Sequence, residues 1–84
     1  MKREWYFVCA IDDAFEVQVL DSQGRARLAV RFQRGDRNVK VQDISIPPSV
    51  LGAAEATPQT GSQYVDRNGQ LLDFYGNPIS NPSA

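Results

Sequence analysis

The strongest constraint on the fold is an alternation of apolar and polar residues with period two, which runs through "FEVQVLDSQGRARLAVRF", residues 15 to 32. Successive side chains of a β-strand point to opposite faces, so this period predicts strands with one apolar and one polar face. A two-residue turn at Ser22-Gln23 would place Val17 opposite Leu28. One face of the hairpin is then entirely apolar, formed by Phe15, Val17, Val19, Ala26, Leu28, Val30 and Phe32.

Turn signals place two further strands around this hairpin. Asp12-Asp13 predicts a turn after a first strand, Glu4 to Ile11, which is apolar on both faces as expected for a covered strand. Gly35-Asp36 fits a type II′ turn, in which glycine supplies the positive φ. A fourth strand would follow and continue to Ile46, with a β-bulge near Gln42-Asp43. These signals predict a four-stranded antiparallel meander.

The last part of the chain contributes one helix and one hairpin. The stretch "PPSVLGAAEA", residues 47 to 56, predicts a short helix with proline in its first turn. Asn68-Gly69 is a strong hairpin signal. The predicted fold is mainly β (β-rich α+β), with a four-stranded antiparallel meander, one short helix and a C-terminal β-hairpin in a small curled sheet or open barrel. We expect a single domain over residues 1–76 and a flexible C-terminal tail over residues 77–84, which is rich in proline, asparagine and serine.

The composition excludes several kinds of site. The chain has no histidine and one cysteine, so imidazole catalysis, an internal disulfide and a paired-cysteine metal site are unavailable. Cys9 lies in an apolar run, which predicts a core residue and not a reactive thiol. The carboxylates that could form a catalytic pair are expected to shape turns or a wet strand face: Asp12, Asp13, Glu16, Asp66 and Asp73. We therefore expect no enzymatic activity, no cofactor and no metal.

The N-terminal stretch "MKREWYFVCAIDDAF" bears on localisation. Its apolar run from Trp5 to Ile11 is too short to span a membrane and is a poor match to a signal peptide. A single free cysteine is compatible with a reducing compartment. These features predict a cytoplasmic protein that does not associate with membranes.

Basic and amide side chains between residues 25 and 40 form a candidate binding face. The predicted register puts most of them on the polar face of the sheet or at a hairpin tip, as a set comprising Arg25, Arg27, Arg31, Gln33, Arg34, Arg37 and Lys40. Glu16 and Gln18 share that face and could neutralise part of it. Because Phe15 and Phe32 point inward in this register, no aromatic platform for base stacking is expected beside the arginines. The set could therefore be a solvated strand face, a protein-docking face, or a weak and salt-sensitive nucleic-acid site.

Three functions remain open from the sequence. The leading hypothesis is a small non-catalytic cytosolic protein-binding or inhibitor-like accessory module, which acts through a sheet surface with Trp5, Tyr64 and Tyr75 as aromatic anchors. A homodimer formed through an edge strand belongs to the same hypothesis. The alternatives are a nucleic-acid-associated protein that uses the arginine-rich strand face, and a small-ligand carrier with an apolar cavity lined by Trp5, Phe7 and Leu72.

Overall fold

A five-stranded antiparallel sheet and one helix form the body of the protein. The computed structural model describes residues 5–58 and 61–79. Its elements in chain order are β1 (Trp5–Ile11), β2 (Ala14–Leu20), β3 (Ala26–Gln33), β4 (Lys40–Val41), β5 (Ile44–Ser45), α1 (Pro48–Glu55), β6 (Ser62–Asp66) and β7 (Leu71–Leu72). The strand order in the main sheet is β3-β2-β1-β6-β7, and β4 and β5 form a separate two-stranded ribbon.

The predicted fold class is confirmed. The protein is mainly β and antiparallel, with one short helix and a C-terminal hairpin, and its main sheet is open and not closed into a barrel. The two-residue turn at Asp12-Asp13 joins β1 to β2, which pair from Ile11 opposite Ala14 to Trp5 opposite Leu20. Glu4, the expected start of the first strand, lies outside the described residues.

Helix α1 covers one face of the sheet. Val50, Leu51 and Ala54 recur at the spacing that aligns side chains along one side of a helix, and all three are buried. They pack with Ile46 and with inward-facing strand residues into one apolar cluster, whose strand members include Tyr6, Val8, Ala10, Phe15, Val17, Phe32 and Val65. Pro48 begins the helix, where its missing N–H costs no intrahelical hydrogen bond.

The opposite face of the sheet, which we call the helix-free face, carries a second apolar cluster. Strand β1 is central in the sheet, and its alternate residues supply both faces. Trp5, Leu20 and Leu72 are buried together on the helix-free face, with Phe7 and Tyr64 partly buried against them. The apolar character of β1 on both faces, recognised in the sequence, therefore has a packing reason on each side.

The β2–β3 register differs by two residues from the predicted one. Val17 lies opposite Val30, where the sequence suggested Leu28, and a bulge falls between Val19 and Leu20. The loop is longer than two residues because the backbone of Asp21 bonds to that of Arg25. Since the shift is an even number of residues, the side chains from Leu28 to Gln33 keep their predicted faces. Ala26 is the exception, because beyond the bulge it lies opposite Leu20 on the helix-free face.

The predicted pairing of β3 with a fourth strand is wrong. Strand β4 pairs with β5 through a two-residue turn at Gln42-Asp43, where a bulge had been expected. Gln42 adopts a positive φ of 57°, which a reversal at this point requires. Val39 and Ile44 pack against the main apolar cluster and draw the ribbon over the core instead of along β3.

Contacts with the end of α1 hold the chain between β3 and β4 away from a strand path. The backbone N–H of Gly35 donates to Oε2 of Glu55 at 2.9 Å. The Arg37 guanidinium lies 3.6 Å from the same carboxylate oxygen. Gly35 has the positive φ that the sequence predicted, at 94°, but it lies in this loop and not in a β3–β4 hairpin.

The first residues of the predicted C-terminal tail lie against the last hairpin. The N–H of Ile79 donates to the carbonyl of Leu71 at 3.1 Å, and Pro78 forms a bridge with Leu72. The remainder of the predicted tail, residues 80–84, lies outside the described residues.

Over residues 5–58 and 61–79, no helix has the length and apolarity needed to cross a membrane.

Candidate functional site

The same five-residue turn, Asp-x-x-Gly-x, occurs three times along the chain, at residues 21–25, 66–70 and 73–77. In each copy the first aspartate accepts the N–H groups of the third and fifth residues through Oδ1 at 2.8 to 2.9 Å. The glycine N–H donates to the carbonyl of the same aspartate. The three glycines, Gly24, Gly69 and Gly76, have φ between 81° and 85°. Asp66 and Asp73, which the sequence offered as possible catalytic carboxylates, therefore each stabilise a turn.

Aromatic rings form a continuous run on the helix-free face. The ring of Tyr64 lies 5.5 Å from that of Trp5 and 4.9 Å from that of Phe7. Phe74 continues the run at 6.2 Å from Tyr64, and Tyr75 lies 5.5 Å from Phe74 in an edge-to-face arrangement. These separations are within the favourable range for aromatic pairs. Five rings from three distant chain segments therefore pack into one continuous cluster.

Two of the repeated turns enclose a cleft at the end of this run, which we call the aromatic cleft. It has a volume of about 280 Å³ and is lined by Trp5, Ser22, Gln23, Gly24, Tyr64, Phe74 and Tyr75. One wall is the turn at residues 21–25 and the other is the turn at 73–77. Because the aspartates brace both turns, the cleft walls have a defined backbone.

The three predicted aromatic anchors have different environments. Trp5 is 5% exposed and donates its Nε1–H to the carbonyl of Asp21 at 2.7 Å, so it supports the cleft from beneath. Tyr64 is half-buried, and Tyr75 is 76% exposed. Phe74, which sequence reasoning missed, is 70% exposed. The third Asp-x-x-Gly-x pattern was the signal that could have found it, since the two central residues of such a turn point outward.

The structure separates the predicted basic set into several places. Arg27, Arg31 and Gln33 lie on the exposed side of β3. Arg31 Nε lies 3.8 Å from Glu16 Oε2, as the sequence suggested for local neutralisation. Arg25 sits in the 21–25 turn, where its Nε is 3.8 Å from Asp21 Oδ2.

The other members of that set lie elsewhere. The Arg34 guanidinium carbon lies 4.9 Å from the centre of the Phe15 ring. Arg37 pairs with Glu55 at the end of α1, and Lys40 is exposed on the small ribbon. A single continuous stripe running from residue 25 to residue 40 is therefore not present.

The pKa of the Asp21 carboxyl is held below its ordinary value. The main cause is the N–H of Arg25, which donates to the carboxylate, and the N–H of Gln23 and the charges of Arg25 and Arg27 act in the same direction. Hydrogen bonds and positive charges stabilise the ionised form. The turn that forms one wall of the aromatic cleft is thus built around a carboxylate.

This environment predicts an acid-sensitive contribution to stability. A carboxyl whose folded pKa is lower than its unfolded pKa stabilises the fold above the unfolded value, near 3.8, and that stability is lost as the pH falls through the folded pKa. Asp21→Asn keeps a side-chain oxygen acceptor but cannot ionise. We expect the free energy of unfolding, measured by urea titration at a series of acidic pH values, to fall less steeply in Asp21→Asn than in wild type. Ser22→Ala, in the same turn, should retain the wild-type slope, and parallel slopes in all three proteins would contradict the assignment.

Cys9 is less buried than the sequence suggested. It is half-buried on the helix-free face, and its Sγ lies 3.9 Å from Oε1 of Glu16. Burial raises the pKa of the thiol, and the charge and hydrogen bond of Glu16 raise it further. Because the thiolate is the nucleophile, this environment disfavours covalent chemistry at Cys9.

The three residues that the sequence suggested for a ligand cavity pack against one another, since Trp5 and Leu72 are buried together with Leu20 and Phe7 is partly buried against them. A larger cleft, of about 550 Å³, lies beside the start of β1 and has a mixed lining of Trp5, Tyr6, Val19, Leu20, Asp21, Ser22, Arg27, Ile44, Ser45 and Arg67.

Within the described part of the chain, no cluster of three or more potential metal ligands is present. Comparisons of this chain with protein-family models, with curated proteins and with solved structures find no match.

Proposed function

We propose that this protein is a small non-catalytic cytoplasmic module that binds another protein through the helix-free face of its sheet, as an inhibitor-like or accessory component. The observation that carries the proposal is the run of packed aromatic rings that ends in the exposed rings of Phe74 and Tyr75. Aromatic residues dominate the energetics of protein interfaces when they are buried by a partner. Burying a ring removes on the order of 150–250 Å² from water.

The hydrogen-bonded turn that carries the two exposed rings favours binding. Both exposed rings belong to a turn in which the Asp73 carboxylate accepts two backbone N–H groups at 2.9 Å. Tyr64, itself half-buried, supports Phe74 from the sheet. Ordering flexible groups on binding costs free energy, so rings that are already held in place lose less when a partner covers them.

The rim of the aromatic cleft indicates the chemistry of the partner. Ser22 and Gln23 line the cleft, and the adjacent Arg25 side chain is exposed beside them. A partner that fits would present an apolar pocket for the two rings, surrounded by hydrogen-bonding groups and carboxylates for the polar rim.

The proposal is tested by crosslinking and mass spectrometry in a native lysate with wild type and two variants. Phe74→Ser with Tyr75→Ser removes both exposed rings, whereas the control Leu71→Ser removes an apolar side chain that is 42% exposed on the same hairpin but on the other side of β7. We expect one defined protein to be crosslinked to residues around the aromatic cleft in wild type and in Leu71→Ser, and lost in the double variant. Crosslinks that are equal in all three proteins, or that map to the α1 side, would refute the proposal.

Binding of single-stranded nucleic acid is a second candidate, because the helix-free face carries aromatic rings that the sequence did not place near the arginines. The rings of Tyr64 and Phe74 share that face with Arg31, an arrangement suited to base stacking beside phosphate contacts. We favour protein binding, because Glu16 lies on β2, between the rings and β3, and pairs with Arg31. This carboxylate offsets the positive charge that a phosphate would need.

Salt dependence separates the two candidates. Phosphate contacts lose affinity steeply as ionic strength rises. Fluorescence anisotropy with a labelled single-stranded oligonucleotide would show salt-sensitive binding that Arg27→Glu with Arg31→Glu abolishes if nucleic acid is the ligand. Crosslinking that persists after nuclease treatment and at raised salt is the result expected for a protein partner.

A further inference from the structure

Strand β3 is an edge strand with an open side. It pairs with β2 along one edge, and among residues 5–58 and 61–79 no strand pairs with its other edge. The segment that the sequence predicted as a fourth strand along this edge forms the separate β4–β5 ribbon instead. An open strand edge presents backbone donors and acceptors that can pair with another chain.

The turn at Asp12-Asp13 reveals which backbone groups of β3 point outward. Ile11 and Ala14 flank this two-residue turn and form a hydrogen-bonded pair, so even-numbered residues of β2 direct their N–H and C=O groups toward β1. Odd-numbered residues of β2 therefore bond to β3. Since Val17 pairs with Val30, the even-numbered residues of β3 face β2, and odd-numbered residues face outward.

A pair of hydrogen bonds at the end of β3 agrees with this assignment. The N–H of Gln33, an odd-numbered residue at the end of β3, donates to Asp36 Oδ2 at 2.9 Å, and the carbonyl of Gln33 accepts from the N–H of Asp36 at 3.0 Å. These bonds occupy the outward groups of Gln33 and close that end of the edge. The bulge opposite Leu20 disturbs the other end at Arg27. The regular open portion consequently presents the outward groups of Ala29 and Arg31.

We propose that a second copy of the chain pairs with this edge in antiparallel orientation, around a two-fold axis at Val30. Ala29 then lies opposite Arg31 of the partner subunit, and Arg31 lies opposite Ala29 of the partner subunit. Each of these pairs exchanges two N–H to C=O hydrogen bonds, so the two sheets join into one of ten strands. A two-fold contact of this kind is self-complementary and closes as a dimer.

Charge selects this register from its neighbours. An axis at Ala29 would place Arg27 opposite Arg31 of the partner subunit, and an axis at Arg31 would place two arginines directly opposite each other. Like charges in such positions are destabilising. An axis at Leu28 would require hydrogen bonds from the bulged backbone at Arg27. An axis at Phe32 would require the outward groups of Gln33, which already bond to Asp36. Shifting one chain along the other by an odd number of residues would place outward-facing backbone groups of one strand opposite inward-facing groups of the other, so no ladder of hydrogen bonds would form.

The side chains on the helix side of the sheet favour the same register. Val30 meets Val30 of the partner subunit, and Leu28 meets Phe32 of the partner subunit. Leu28 is only partly buried in the single chain, whereas Val30 and Phe32 belong to the buried apolar residues. The dimer therefore covers the remaining exposed part of Leu28 and continues the apolar layer from one sheet into the next.

Sedimentation equilibrium with two charge variants tests both the dimer and its register. Ala29→Glu places a carboxylate opposite Arg31 of the partner subunit twice per dimer, and Ala29→Lys places an ammonium there. We expect Ala29→Glu to lower the dissociation constant by about two- to thirty-fold and Ala29→Lys to raise it by a similar factor. An axis at Ala29 would instead oppose residue 29 to itself, so both variants would weaken the dimer.

A third variant tests the role of the backbone edge. Ala29→Pro removes an N–H that points away from β2, so it leaves the β2–β3 bonds in place and proline is tolerated at such edge positions. We expect this variant to be monomeric, with a far-UV circular dichroism spectrum like that of wild type. A folded Ala29→Pro protein that still dimerises, or a wild type that stays monomeric up to millimolar concentration, would overturn the inference. Neither outcome bears on the aromatic cleft, because Ala29 is not part of it.

Discussion

Replacing Trp5 with alanine is expected to lower the free energy of unfolding by about 3–5 kcal/mol, as for other large buried aromatic residues. The side chain is 5% exposed, and its indole N–H donates to the carbonyl of Asp21 at 2.7 Å. Removing it leaves a cavity beneath the aromatic cleft and takes away one of the two hydrogen bonds that the Asp21 carbonyl accepts, the other coming from the N–H of Gly24. A chain of 84 residues has a total stability on the order of 4–13 kcal/mol, so much of the population could unfold.

Urea denaturation followed by far-UV circular dichroism measures this change without relying on tryptophan fluorescence. Tyr75→Ala serves as the control, because that ring is 76% exposed and its removal should change stability by about 0.5 kcal/mol or less. Trp5→Phe should fall between the two, since it keeps an aromatic ring but loses the N–H donor. If Trp5→Ala were as stable as Tyr75→Ala, Trp5 would not have the supporting role that its burial indicates.

The second large effect is expected at Gly69, in the Asp-x-x-Gly-x turn at residues 66–70. Its φ is 81°, a conformation that costs an L-residue about 1–2 kcal/mol. A Cβ at this position would also lie 2.8 Å from the carbonyl oxygen of Ser49 in α1. Because the obstructing atom is helix backbone, relief requires the turn to move, and overpacking of this kind costs about 1–3 kcal/mol more. Gly69→Ala should therefore lose about 2–5 kcal/mol in the same urea assay.

Gly35→Ala separates the two causes. Gly35 also has a positive φ, at 94°, but an added Cβ there would have no neighbour within 4 Å. This variant should lose only the conformational part, about 1–2 kcal/mol. Equal losses in the two variants would show that the contact between the turn and α1 contributes nothing. We expect a larger loss for Gly69→Ala, because the same two segments are also linked by the hydrogen bond that Ser49 Oγ donates to the carbonyl of Arg67 at 2.7 Å.

Both predictions concern the parts of the molecule that support the candidate site. Trp5 lies beneath the aromatic cleft, and Gly69 lets the hairpin that precedes Phe74 dock on α1. Variants at these positions would therefore reduce binding indirectly, through stability. The exposed rings of Phe74 and Tyr75 are the appropriate positions for testing binding itself.

Local patterns in the sequence determined the strands, the helix and their buried faces. The period-two alternation in β2 and β3 assigned residues to faces, and from Leu28 to Gln33 the assignment survived a two-residue error in register because an even shift keeps every face. The bulge, which the alternation did not reveal, moved Ala26 to the other face. The apolar side of α1 was likewise readable, since Val50, Leu51 and Ala54 follow helical spacing. The two apolar faces of β1 indicated that it would be covered on both sides.

Only the tertiary structure decided which segments meet. Glu55 lies twenty residues from Gly35, yet its carboxylate holds the loop that removes β4 from the edge of β3. The aromatic run joins residues from β1, β6 and the turn after β7, which no local pattern connects. The arginines, in contrast, are close in sequence but separated in space, because the chain turns away after Gln33. The type of each element and the face on which a side chain lies follow from periodicity over a few neighbouring residues. Strand pairing and the composition of the surface depend instead on contacts between segments that are far apart in the chain, and no local pattern specifies those contacts.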